Sequence, residues 1–287
     1  GYDITGDYLS YESGRAPIID IHKFEQEQYQ RILITYPNEI KEVYNYGATS
    51  EEYVKVLGGK LNTGVEKNSI FAGTITGNYD KKIDYASQYS LASCEKLILL
   101  KQICINAHPF LLMDYLSSEF LYDLNNYSAD YVVERYGTHL PLDITIGGKL
   151  SLLYKTCAES SNKEETTKAG FKVNVLNIFS LGSDYTVSTA TANNNRSQSL
   201  VCRSVGGRQG ILKKFDLETG IPQVDISTWE NTVDTTSGNI VRINWESIIP
   251  LEDLIADPIK KEQIKAAVKR YKIKKRFELV HPLYQLS

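Results

Sequence analysis

The chain has 287 residues, 42% of them hydrophobic and 23% charged, with a formal net charge of −3 at neutral pH. That is a globular composition, long enough for one large domain or two ordinary ones, and its slight acidity gives no reason to expect nucleic acid as a partner. No apolar run approaches the ~18 residues of a transmembrane helix, so any action in a bilayer is expected to begin from a soluble state.

The opening Gly1-Tyr2-Asp3 carries neither a basic nor an apolar leader, as expected of a mature secreted chain and equally of a cytosolic one. Thr49-x-x-Glu52 is a capping box ahead of Tyr53, Val54, Val56 and Leu57, which predicts a short helix stopped by Gly58. Ile83, Tyr85, Tyr89 and Leu91 alternate with Asp84, Ala86, Gln88 and Ser90, and Phe71, Ile75 and Tyr79 offer a partner strand across Asp80-Lys81-Lys82. Leu97 to Leu100 has the length of a core strand or a core helix segment. Residues 109 to 125 are apolar at helical spacing and predict short helices.

Ser128 is placed as the N-cap of a helix carrying Tyr131, Val132 and Arg135, and Gly137 as its C-cap. Leu142, Ile144 and Ile146 then alternate with Asp143 and Thr145, a half-buried strand. Gly147-Gly148 interrupts it before Leu150 and Leu152, which marks a bend, a bulge or a close backbone approach. His139, at the turn between helix and strand, is read as a hydrogen-bonded structural histidine rather than a catalytic or metal-binding one.

From 167 to 181 the odd positions include Phe171, Val173, Val175, Phe179 and Leu181, apolar at six of eight. The even positions from 166 to 180 are apolar at two of eight, glycine not counted. Yet Phe171, Val175, Ile178 and Phe179 also fall at i, i+4, i+7 and i+8, so the segment reads both as an amphipathic helix and as a strand. The following stretch, with Tyr185 and Val187 alternating against Asp184, Thr186 and Ser188, is a weaker return strand. Asp257-Pro258 predicts a helix start, and Ile264, Val268 and Tyr271 line one face of that helix. Its end, Lys269 to Arg276, holds six basic residues of eight, read as a solvated helix end that complements the dipole.

Catalytic and metal motifs are missing from the sequence. The four histidines lie outside any HExxH, no GxSxG or Walker A pattern occurs, and Gly206-Gly207-Arg208-Gln209-Gly210 lacks the Lys-Ser/Thr ending of a phosphate loop. The expectation is a non-enzyme with no cofactor and no metal. Cys94, Cys104, Cys157 and Cys202 form no CxxC pair, and their disulfide state is left open.

Tyr136-Gly137-Thr138-His139-Leu140, six residues from Pro141 to Ile146, then Gly147-Gly148, resembles the signature of the membrane attack complex/perforin (MACPF) family, Tyr/Trp-Gly-Thr/Ser-His-Phe/Tyr-x6-Gly-Gly. Leu140 departs from it, an aliphatic residue in place of an aromatic. The resemblance extends to the opening Gly-Tyr-Asp and the closing helix, so it covers about residues 1–272 as one domain, with 273–287 as a short tail. It implies an α+β fold: a bent, twisted, four-stranded antiparallel sheet flanked by two helical clusters near residues 73–98 and 158–200. It further implies that Gly147, Gly148, Gly206 and Gly207 lie at the sheet bend. The two clusters would refold into membrane-spanning β-hairpins, with Phe171, Val173, Val175, Phe179 and Leu181 facing lipid. By the same resemblance the protein is a secreted or surface-anchored, bacterial-type pore former, a monomer in solution and a homo-oligomer on its target membrane. Its partner would be a membrane lipid or a surface receptor. The alternative from another class is a non-lytic surface recognition or adhesion module on the same fold.

Overall fold

Two 16-residue strands, β3 (Ser90–Ile105) and β5 (Asp143–Ala158), run antiparallel side by side at the centre of the molecule. They belong to a computed structural model that describes residues 1–60, 73, 89–176, 188–208, 210–217 and 226–280. The outer side of β3 is shared: β2 (Glu39–Gly47) pairs with its first half and β1 (Ile32–Thr35) with its last residues. The outer side of β5 is shared in the same way, by β6 (Asn195–Val205) along Lys149–Ala158 and β8 (Asn239–Ile243) along Ile144–Gly147. With β7 (Leu212–Asp216) beyond β6, the sheet has seven strands among the described residues. The expected antiparallel sheet is therefore present, with β2, β3, β5 and β6 as its long columns and three shorter strands more than expected. A separate ribbon pairs β4 (His139–Pro141) with β9 (Ile248–Pro250).

Side chains alternate between the two faces of the sheet, and different elements cover each face. One face presents Leu91, Ser93, Glu95, Lys149, Ser151 and Arg203. It lies beneath the loop Tyr2–Ser13 and α2 (Ser50–Lys60), whose Tyr53 hydroxyl donates to Ser93 Oγ at 2.6 Å. The opposite face presents Ala92, Cys94, Leu150, Leu152, Tyr154, Leu200 and Cys202, packed against Phe171, Val175, Leu176 and Trp229.

Below the sheet, α1 (Ile21–Gln28), α3 (Pro109–Leu112), α4 (Ser118–Asn126), α5 (Ala129–Tyr136) and α9 (Pro258–Val280) enclose a second core. It holds Phe24, Phe120, Tyr136, Leu251, Ile264 and Val268. Local sequence fixes where these helices start. Ser128 Oγ accepts from Tyr131 N at 3.3 Å, and Asp257 Oδ1 from Ile259 N at 2.8 Å. Thr49 also caps its helix, its Oγ1 accepting from Glu52 N, while Glu52 Oε2 reaches back one residue further than a capping box requires and accepts from Ala48 N.

Four expectations shift. α2 runs through Gly58 and Gly59 to Lys60, although two glycines together cost a helix about 2 kcal/mol; the burial of Tyr53, Val54 and Leu57 against the sheet offsets that cost. α9 continues past residue 272 to Val280. Residues 90–98, assigned by sequence to the first cluster, are the first half of β3. Ser90, Ser93, Glu95 and Lys96 are interspersed among its apolar residues, and with both faces covered the strand carries no clean period-two signature. Likewise Ala158 and Asn195–Leu200, assigned to the second cluster, belong to β5 and β6.

None of the four cysteines forms a disulfide. Cys94 and Cys202 sit on either side of Leu152, two strands apart, a separation of roughly 10 Å that no disulfide spans.

Candidate functional site

The signature residues form a junction. Tyr136 ends α5 fully buried, its ring edge-on to Phe120 at 4.9 Å and its hydroxyl donating to Asp123 at 2.9 Å. Gly137 follows at φ +79, its N–H donating to Val133 O at 2.9 Å; a Cβ there would lie 2.6 Å from Tyr2 O. Only glycine meets both demands. Thr138 and His139 then bind the segment at Tyr2: both backbone N–H groups donate to Tyr2 O, and Tyr2 N donates back to His139 O at 2.8 Å.

His139 Nδ1 lies 2.8 Å from Thr138 Oγ1. Burial, helped by the Lys272 charge, lowers its pKa to about 3, so the ring is neutral over the physiological range. The imidazole is thus buried, neutral and tied to the neighbouring hydroxyl. Among the described residues, no three His, Cys, Asp or Glu side chains are grouped to hold a metal ion.

The glycine pairs meet where the long strands deviate. Lys149 pairs with Val205, which places Gly147-Gly148 beside Gly206-Gly207 on neighbouring strands. Across from Gly147, β3 carries a bulge between Leu99 and Lys101. Gly206 and Gly207 adopt φ +72 and +79, whereas Gly147 and Gly148 need glycine for space. A Cβ on Gly147 would fall 1.8 Å from Ile98 O, and one on Gly148 would meet Val233 and Trp229 at 2.7–3.0 Å. Trp229, in α8 (Ser227–Glu230), clamps this corner by donating its indole N–H to Gly206 O at 2.8 Å. No sequence signal marked that tryptophan, because its partner lies far along the chain.

Two insertions leave the sheet at one end. The first joins Gly47 of β2 to Ser90 of β3; the second joins Ala158 of β5 to Asn195 of β6. In both cases the flanking strands are already antiparallel neighbours, pairing up to Gly47↔Leu91 and Ala158↔Asn195. Ser90↔Thr156 then brings the two exits together.

Within the second insertion, α6 (Lys163–Phe171) starts at Asn162, which accepts from Glu165 N, and passes into a π-helical turn, Lys172–Leu176. α7 (Thr189–Ala192) leads back to β6. Of the residues expected to face lipid, Phe171 and Val175 are fully buried here, on the apolar face of the sheet, while Val173 is half-buried. Phe179 and Leu181 lie outside the described residues, as do the return stretch 184–187 and, in the first insertion, Phe71, Ile75, Tyr79, Ile83 and Tyr85. No described helix is long and apolar enough to cross a membrane.

Comparisons agree with this geometry. A solved cell invasion protein with MAC/Perforin domain from Bacteroides thetaiotaomicron superposes with TM-score 0.75 at 14% identity, over 93% of this chain and 59% of that one. GNIP1Aa from Chromobacterium piscinae gives TM-score 0.68 at 16% identity, over 98% and 56%. At such identities they show the fold, and this chain spans less than two thirds of either. No functionally curated protein matches by sequence. The MAC/Perforin domain profile matches residues 1–278, and the chain belongs to that family.

Proposed function

We propose that this protein is a secreted or cell-surface pore former that assembles into a homo-oligomer on a target membrane and inserts β-hairpins from both insertions. The observation that carries this reading is the connectivity. Each insertion joins strands already paired with each other, and both leave the sheet at the same end. Straightening an insertion therefore lengthens an existing hairpin without changing strand order. Each is longer than twice the ~9–11 residues a barrel strand requires.

Assembly follows from backbone chemistry. An open sheet edge in hydrocarbon leaves N–H and C=O groups unpaired at several kcal/mol each, so the extended hairpins must close a ring. Among the described residues, β1 and β2 pair only with β3, and their edge exposes Leu33, Ile34 and Ile40. Among the described residues β7 pairs only with β6 and bounds the other side. These are the edges that copies of the chain would join.

Dye-loaded vesicles of varied lipid composition, mixed with the purified protein, test the proposal. Leakage with ring formation supports it; intact vesicles and unaffected cells across plausible targets refute it. One observation favours the second reading, a non-lytic recognition or adhesion module: Phe171, Val175 and Leu176 anchor the second insertion in the sheet core. A disulfide pinning α6 to the sheet separates the two readings, since an adhesion module keeps its activity when pinned.

A further inference from the structure

The loop Tyr2–Ser13 touches the sheet and the first insertion at the same point. On the sheet side, Arg203 of β6 forms ion pairs with both Asp7 and Glu12. Lys149 of β5, buried and 3.8 Å from Glu95, donates to Tyr8 O. Arg203 and Lys149 flank the two glycine pairs, so the loop is fixed at the bend. On the insertion side, Gly73 N donates to Thr5 O at 2.9 Å. Its Cα packs so closely that an added Cβ would lie 2.6 Å from both Asp7 N and Gly6 C. Asp7 thus has its side chain on the sheet and its backbone against the insertion.

The loop is also under strain. Leu9 is a non-glycine residue at φ +54, a conformation that persists only where surroundings over-determine it. Those surroundings are the burial of its side chain beside Tyr53 and Val54 and the hydrogen bond from its N–H to Tyr2 OH at 3.0 Å.

We propose that Tyr2–Ser13 is a strap that holds the first insertion in its soluble position, with the Arg203–Asp7/Glu12 ion pairs as its fastening. Its release then precedes any departure of the first insertion from the sheet, and the strength of the ion pairs sets how often that happens. The strap's consequence for leakage rests on the pore-forming reading; its hold on Gly73 does not.

The experiment measures amide exchange at Gly73 by NMR on the full chain in the absence of membrane, alongside vesicle leakage. Loss of a charge-assisted, partly buried pair should raise local opening roughly tenfold to a hundredfold, so Arg203→Gln should speed Gly73 exchange by that factor. It should also shorten the lag before leakage. Glu12→Gln, at a mostly exposed side chain, removes one pair without disturbing the core and should give a smaller acceleration of the same sign; it keeps the test decisive if Arg203→Gln folds poorly. Arg196→Gln breaks an exposed pair with Glu159 beside the second insertion and should leave Gly73 unchanged. Unchanged Gly73 exchange in a folded Glu12→Gln or Arg203→Gln variant overturns the strap, whatever the leakage. Faster exchange without leakage from any variant or the parent upholds the strap and counts against the pore.

Discussion

Replacing Gly147 by alanine puts the sheet bend under direct test. The new Cβ would lie 1.8 Å from Ile98 O, a backbone atom in the neighbouring strand. Ordinary C···O contacts begin near ~3.3 Å, so β3 and β5 would have to separate by roughly 1.5 Å at the bulge. No side-chain rotation relieves a clash between two backbones. The ladder contacts Ile98↔Gly148 and Leu99↔Gly147 stretch or break, and each buried hydrogen bond left unmade costs about 1–3 kcal/mol. Adding overpacking strain, the expected loss is at least ~3 kcal/mol, against a total stability of about 5–15 kcal/mol. At about 2–4 °C per kcal/mol, Tm should fall by roughly 6–12 °C. Urea and thermal unfolding of the monomer measure this. Gly210→Ala is the control: its nearest neighbour would be Ser204 O at 3.9 Å, and its stability should stay within about 0.5 kcal/mol. A Gly147→Ala protein melting within about 2 °C of the parent would refute the close approach as the reason for glycine.

Three further outcomes are expected. Val173→Lys should abolish leakage, because a lysine on the lipid side costs ~2–4 kcal/mol in every subunit, while Asn174→Lys should leave leakage largely intact; equal leakage from both sinks the strand register. Val175 is unsuitable for that comparison, since it is fully buried in the monomer and lysine there should lower the melting temperature on its own. Trp229→Phe keeps most of the ring but strands Gly206 O, and should cost about 1–3 kcal/mol in urea unfolding. For His139 the folded pKa of about 3 lies below the ordinary 6.5, so its contribution is complete above 6.5 and lost as pH falls towards 3. Between pH 7 and 5 the parent should lose about 2 kcal/mol more than His139→Gln, and parallel pH profiles would show that the buried imidazole does not set the slope.

What the sequence made legible was local. The Ser128 cap, the Gly137 stop, the Thr49 cap and the Asp257-Pro258 start each depend on contacts within a few residues, and the structure contains all of them. The six-residue gap in the signature also has a physical meaning. It is the length of chain that carries β5 from the Tyr2 junction to the bend opposite Ile98. Partners distant in sequence were not legible: Trp229 on Gly206 O, Arg203 on Asp7, Gly73 against Gly6. The first insertion was placed too late because its bounds followed from the distance to the signature, while Ser90–Ile98, with Ser, Glu and Lys among its apolar residues, carries no strand pattern to correct them. Helical spacing in the second insertion correctly singled out Phe171 and Val175, but the same residues were also expected on a lipid face. In the monomer their place is the core.

The described parts of the two insertions lie on opposite faces of one sheet, and the surfaces they cover differ in charge. Lifting α2 and the Tyr2–Ser13 loop uncovers Ser93, Glu95, Lys149, Ser151 and Arg203, groups that water and counterions solvate readily, along with the apolar Leu91 and Leu153. Removing α6 uncovers Leu150, Leu152, Tyr154, Leu200 and two thiols, which water does not. The first event thus breaks the Arg203 ion pairs as well as apolar contacts and should respond to ionic strength. The second is governed by apolar hydration and should grow easier on cooling and harder in excluded osmolytes. Salt and temperature are separate handles on the two halves of one molecule.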